Sequence, residues 1–114
     1  MTEPHAELTA QLDAERQETT ERLQALRQDF DAMVAASDWS NADDEHDPEG
    51  STIAFERSQV GALMDQAERH LADISAAQSR LADGTYGICQ VCHQEIPLER
   101  LQARPVARTC VACA

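Results

Sequence analysis

The sequence contains no lysine and only four aromatic residues, Phe30, Trp39, Phe55 and Tyr86. Glycine and proline number four each. No apolar run approaches the ~20 residues that cross a bilayer, and the opening stretch, Met1 to Leu12, is polar and acidic, unlike a secretory signal. Each scarcity excludes something. So few large side chains in 114 residues allow only a modest core, so a metal or helix-on-helix packing must help hold the fold. The lack of a span and of a signal points to the cytoplasm, where paired cysteines mean metal or redox chemistry more often than disulfides.

The charge is one-sided. Nine arginines face twenty-one acids, for a formal net charge of -12. From Ile88 onward three arginines meet two acids, net +1; the rest holds six arginines and nineteen acids, net -13. Phosphate repels such a surface, which argues against direct binding of bare DNA or RNA. A basic protein surface is the natural partner.

What is present is mostly helical pattern. Thr2 to about Ser37 is rich in Ala, Leu, Glu, Gln and Arg, has no glycine, and carries Pro4 where a first helical turn tolerates it. Thr19, Leu23, Leu26, Phe30 and Met33 are spaced 4, 3, 4, 3, a coiled-coil seam that Leu8 and Leu12 continue loosely. Ser51 to Asp83 repeats the pattern through Val60, Met64, Ala67, Leu71, Ile74, Gln78 and Leu81, and Gly84 stands at a helix C-cap position. Between them, residues 38–50 hold the turn formers Asn41, Pro48 and Gly50 among many acids. Asp47 before Pro48, or Ser51 or Thr52, is a plausible N-cap. The expected fold is mainly α: an antiparallel coiled-coil helical hairpin over 1–84 with an acidic tip loop at about 38–50, followed by a small four-cysteine module over 85–114. A self-paired hairpin predicts a monomer. Trp39 and Phe55 flank the tip and are expected to pack as a small lid, and His70 is expected on the helix surface beside the seam.

All four cysteines fall in the last stretch: Cys89-x2-Cys92, seventeen residues, then Cys110-x2-Cys113. Two such knuckles can hold four thiolates around one tetrahedral zinc, and a closed four-sulfur shell leaves no position for a substrate, so the site reads as structural. Competing readings are two redox pairs, which need a strand–helix context that is missing, disulfides, and an iron–sulfur cluster. His93 could also replace a ligand.

Gly84-Thr85-Tyr86-Gly87-Ile88-Cys89-Gln90-Val91-Cys92 resembles the opening of the zinc finger of the DksA/TraR family. The segment Ile96-Pro97-Leu98-Glu99-Arg100-Leu101-Gln102-Ala103-Arg104-Pro105 is similar to its middle, and Cys110-Val111-Ala112-Cys113 closes it. The resemblance implies one structural Zn2+ on Cys89, Cys92, Cys110 and Cys113, and a non-enzymatic cytoplasmic regulator that binds bacterial RNA polymerase. It implies that the hairpin enters the polymerase secondary channel and brings acids of its tip, here Asp43, Asp44, Asp47 and Glu49, toward the catalytic centre to alter initiation. The family's tip pattern is Asp-x-x-Asp-x-Ala; Asp44 and Asp47 fit the two acids, and Glu49 stands where alanine is expected. The positions that bind ppGpp in responsive members fall on Gln66, Asp73 and Ala114, none of them basic, so weak or no ppGpp synergy is expected. The alternatives are a zinc- or redox-responsive protein-interaction module, a nucleic-acid-binding zinc finger, which would need an exposed basic element, and a metal-dependent enzyme built on the tip acids with His46.

Overall fold

The structure, a computed structural model, describes residues 3–40 and 48–114, with the side chains of residues 5–36 and 52–114. Two long helices, α1 (Glu3–Ser40) and α2 (Pro48–Asp83), lie in a hairpin-like arrangement. A short helix α3 (Leu98–Ala103) and a 3-10 turn (Val111–Cys113) follow. Among the described residues the only β pairing is one antiparallel bridge, Ile88 with Glu95.

Both long helices run further toward the tip than the apolar spacing predicts. Helix α1 continues to Ser40 and α2 starts at Pro48. The physical reason lies in the end turns. Pro48 lacks only an N–H that a first helical residue leaves unpaired anyway, and a first turn of α2 tolerates an acidic residue such as Glu49. Of the tip acids, Asp43, Asp44 and Asp47 lie outside the described residues, and Glu49 is described in backbone only.

The chain divides into two compact units. One is formed by residues 19–69. Here Thr19, Leu23 and Ala67 are buried, and Leu26, Phe30, Met33, Val60 and Met64 are half-buried, as the seam predicts. The buried Thr19 hydroxyl accepts a hydrogen bond from Arg22 Nη2 at 3.4 Å. Arg27 Nη2 meets Glu68 Oε2 at 3.3 Å, and Phe30 lies against Gly61. Pairing 27 with 68 and 30 with 61 makes the two helical segments antiparallel.

The other unit holds residues 1–18 and 70–114. Its core contains Leu8 and Leu12 of α1, Ile74 and Ala77 of α2, and Tyr86, Cys89, Ile96, Leu101, Val106 and Ala107 of the C-terminal segment. Polar groups flank it. Gln78, a seam position, accepts from Arg16 Nη1 and donates from Nε2 to Asp13 Oδ1 at 2.9 Å, so both ends of its amide are used. His70 is half-buried, with Nε2 3.3 Å from Glu15 Oε2. Helix α2 ends at Gly84, whose φ of 83° carries the chain into a left-handed cap. The N–H groups of Thr85 and Tyr86 both donate to Arg80 O, at 2.9 and 3.2 Å, which satisfies a carbonyl the helix end would leave open.

Candidate metal centre

The C-terminal segment builds the site from backbone upward. The turn at Gly84 delivers Tyr86 into the core, 3% exposed, where its hydroxyl donates to Pro105 O at 2.8 Å. Burial raises the Tyr86 pKa, so the phenol stays protonated and keeps donating. His5 of α1 meets the Tyr86 ring edge-on at 5.2 Å. Gly87, at φ 84°, passes beneath His5 and Leu101, each 3.6 Å from where a Cβ would stand. The bonds Ile96 N–H to Gly87 O (2.7 Å) and Cys89 N–H to Gln94 O (2.8 Å) then fold the first knuckle back on itself.

Within that knuckle the N–H groups of Val91 and Cys92 point at Cys89 Sγ, at 3.4 and 3.5 Å. His93 closes the turn with φ 62° and an N–H bond to Cys89 O at 3.0 Å. The second knuckle is tied in twice: Gln90 N–H donates to Arg108 O at 2.9 Å, and Arg100 Nε of α3 donates to Thr109 O at 2.7 Å. Arg108 Nη2 also pairs with Asp73 of α2 at 3.1 Å, so two of the three finger arginines serve structure.

These contacts gather the four sulfurs of Cys89, Cys92, Cys110 and Cys113 within 4.8 Å of one another. Cys92 and Cys110 Sγ are 3.8 Å apart. A tetrahedral zinc with Zn–S near 2.3 Å requires sulfur–sulfur edges of about 3.8 Å, so the donor set fits one zinc ion. His93 is exposed and stands outside this group. The thiols are already unequal. Cys89 is lowered to about 6, chiefly by the backbone N–H of Cys92, while the hydrogen bond with Cys110 leads the effects that raise Cys113 to about 12. No sequence signal announced the amide donors to Cys89 or the Arg100 tie, because both depend on backbone turns.

Residues 84–114 match the prokaryotic dksA/traR C4-type zinc finger. Beyond the finger, the fold is similar to the solved structure of transcription factor DksA2 from Pseudomonas aeruginosa, with a TM-score of 0.55 and 26% identity, covering 91% of this chain and 80% of that one. The chain resembles the DksA/TraR proteins both in its finger and in its fold. Among curated relatives it is 42% identical over 69 residues to the uncharacterized protein YteA of Bacillus subtilis, covering 60% of this chain and 29% of YteA. It is 35% identical over 49 residues to the RNA polymerase-binding transcription factor DksA of Haemophilus influenzae, covering 43% of this chain and 34% of that protein. The chain thus spans about a third of the length of these curated relatives. The family's C4 finger is the one whose four sulfurs the structure brings together, and zinc is the ion they fit. No helix among the described residues is long and apolar enough to cross a membrane.

Proposed function

We propose that this protein is a member of the DksA/TraR family and a non-enzymatic transcription regulator that binds bacterial RNA polymerase and presents its hairpin tip to the secondary channel. One observation carries the reading: a C4 finger of this family and the two-helix fold of DksA2 occur together in one chain. In this reading Cys89, Cys92, Cys110 and Cys113 hold Zn2+, which when bound supplies a cross-link between the two knuckles. The module over 85–114 stabilises the base of a hairpin over 1–84, and Asp43, Asp44, Asp47 and Glu49 act at the tip. A cytoplasmic monomer without direct sequence-specific nucleic-acid binding is consistent with the charge of -12. Gln66, Asp73 and Ala114, the positions that bind ppGpp in responsive members, carry no basic side chain, and weak ppGpp synergy is expected on that ground.

The test compares wild type with an Asp44→Asn, Asp47→Asn variant for binding to core RNA polymerase and for open-complex lifetime. The expected result is that both bind and only wild type changes the lifetime. Absence of wild-type binding would remove the proposal. A second reading, a zinc- or redox-responsive interaction module, is favoured by the exposure of Cys92. It predicts that zinc removal abolishes polymerase binding reversibly.

A further inference from the structure

Arginine is a costly residue to bury without a partner, because its guanidinium stays charged and its polar atoms are all donors. In the unit formed by residues 1–18 and 70–114, Arg16 gives an N–H to Gln78, Arg100 to Thr109 O and Arg108 to Asp73. Arg80 differs. It is half-buried in the last turn of α2, its Nη2 is shut off from solvent, and that atom meets no hydrogen-bond acceptor among the described residues. The charges around it do not compensate. Burial first, then the like charge of Arg108, hold the Arg80 pKa below the ordinary arginine value, and Tyr86, Asp83 and Asp73 offset this only in part. The Tyr86 phenol stays protonated, Asp73 is paired with Arg108, and Asp83 Oδ1 accepts from the N–H and the hydroxyl of Thr85 at 3.1 and 2.6 Å. A buried donor left over in this way needs an explanation.

Its position supplies one. The chain turns on the Arg80 carbonyl, which accepts from the N–H groups of Thr85 and Tyr86, and runs from there into the first knuckle. Arg80 and Cys89 line one cleft beside that knuckle, together with Thr85, Ile88, Gln90 and His93, and no other arginine lines it. Cys89 is 0% exposed. With zinc bound, the Cys89 sulfur belongs to a shell whose four thiolates outweigh the charge of the ion by two. Negative charge in excess inside a protein is as costly as the unpartnered cation. The N–H groups of Val91 and Cys92 that point at Cys89 Sγ offer it dipoles, not a charge.

We infer that Arg80 is the counter-charge of the metal centre: its buried guanidinium stabilises the excess negative charge of the zinc-bound thiolates from the Cys89 side. It is a positioning residue, acting on the ligands and not on the ion. The two buried charges account for each other, since neither is balanced by the rest of the unit. The inference stands on the four-cysteine site alone and is independent of the polymerase reading.

The experiment uses the full chain and compares wild type with Arg80→Gln, which removes the charge, and Arg80→Lys, which keeps it. Zinc affinity is read by chelator competition at fixed pH, and thermal melting by circular dichroism with zinc bound and with zinc removed. The expected result is zinc affinity about tenfold or more weaker for Arg80→Gln, the usual scale for a group that supports a metal ligand, with Arg80→Lys close to wild type. With zinc removed, Arg80→Gln should melt no lower than wild type, because it deletes a buried charge that then has nothing to balance. Wild-type zinc affinity in Arg80→Gln overturns the inference. So does an Arg80→Lys affinity as low as that of Arg80→Gln, because the shape of the guanidinium and not its charge is then what matters. A fall in the melting temperature of Arg80→Gln that is the same with and without zinc also overturns it, since Arg80 then supports the fold and not the metal centre.

Discussion

His93 adopts a left-handed backbone, φ 62°, at the point where the first knuckle turns back and its N–H reaches Cys89 O. A residue with a β-carbon held there costs about 1–2 kcal/mol. Glycine removes that cost but increases the freedom of the unfolded chain, which returns about 0.5–1 kcal/mol. The expected net gain for His93→Gly is about 0.5–1 kcal/mol. Because the folded knuckle holds the metal and the unfolded chain does not, the gain should appear as tighter zinc binding, about two- to fivefold. His93→Ala is the control: it removes the exposed imidazole and keeps the β-carbon. Competition with a chromophoric chelator measures zinc affinity for the three proteins. Glycine above alanine, with alanine near wild type, is the expected order. If glycine and alanine bind zinc equally, backbone strain at His93 is not what limits the knuckle.

Three other outcomes follow from single contacts. Gly61→Ala should stabilise the 19–69 unit by about 0.5–1 kcal/mol, since an added Cβ meets only Phe30 at 3.8 Å and the helix loses a flexible residue; urea unfolding checks it, and a loss of stability refutes it. Tyr86→Phe should cost about 1–2 kcal/mol, because the buried hydroxyl that donates to Pro105 O at 2.8 Å is removed and the carbonyl is left without it; an unchanged melting curve counts against it. Zinc uptake near pH 7 should release protons. The Cys89 thiol, at about 6, is already largely ionised, whereas Cys92, raised, and Cys113, at about 12, still hold protons that zinc must displace. Affinity therefore falls as pH falls, and calorimetry in buffers of different ionisation enthalpy should detect the release; buffer-independent heats would refute it.

The seam was legible because its residues repeat at heptad spacing, and the helix end at Gly84 because only glycine enters a left-handed cap cheaply. The zinc site was legible from two Cys-x2-Cys pairs and their flanks. Ala77 was not, although it is 0% exposed. An alanine carries little pattern, and its burial comes from packing against the C-terminal segment beside the seam neighbour Ile74. Leu8 and Leu12 showed only as a loose continuation, yet they are 1% and 0% exposed for the same reason. Their partners lie more than sixty residues away in the chain, out of reach of any local period. Gln78 reads as a defect in the seam until Arg16 and Asp13 are seen at either end of its amide. Arg108 could have served several acids; its contact with Asp73 is a fact of tertiary placement. Of the pair expected to form a lid at the tip, Phe55 is 65% exposed and the side chain of Trp39 lies outside the described ones.

The packing of Leu12 raises a question that the cysteine spacing leaves open, namely whether the finger folds as a module of its own over 85–114. Leu12 lies in the same buried cluster as Cys89, Tyr86 and Ile74. Leu12→Ala opens a cavity there and should cost about 3 kcal/mol. If the start of α1, the end of α2 and the finger fold together, part of the zinc binding energy goes into ordering that cluster, and the substitution weakens zinc affinity. The ceiling is about a hundredfold, reached only if the whole unit is unfolded without metal. An independent finger predicts a different pair of results: helix melting falls and zinc affinity stays at the wild-type value. Chelator competition and thermal melting of the zinc-loaded protein, run on one sample, separate the two. The expected outcome is a loss in both, because ten buried residues from α1, α2 and the C-terminal segment form one continuous core around the Cys89 side of the site. Unchanged zinc affinity beside a lowered melting temperature would refute that coupling.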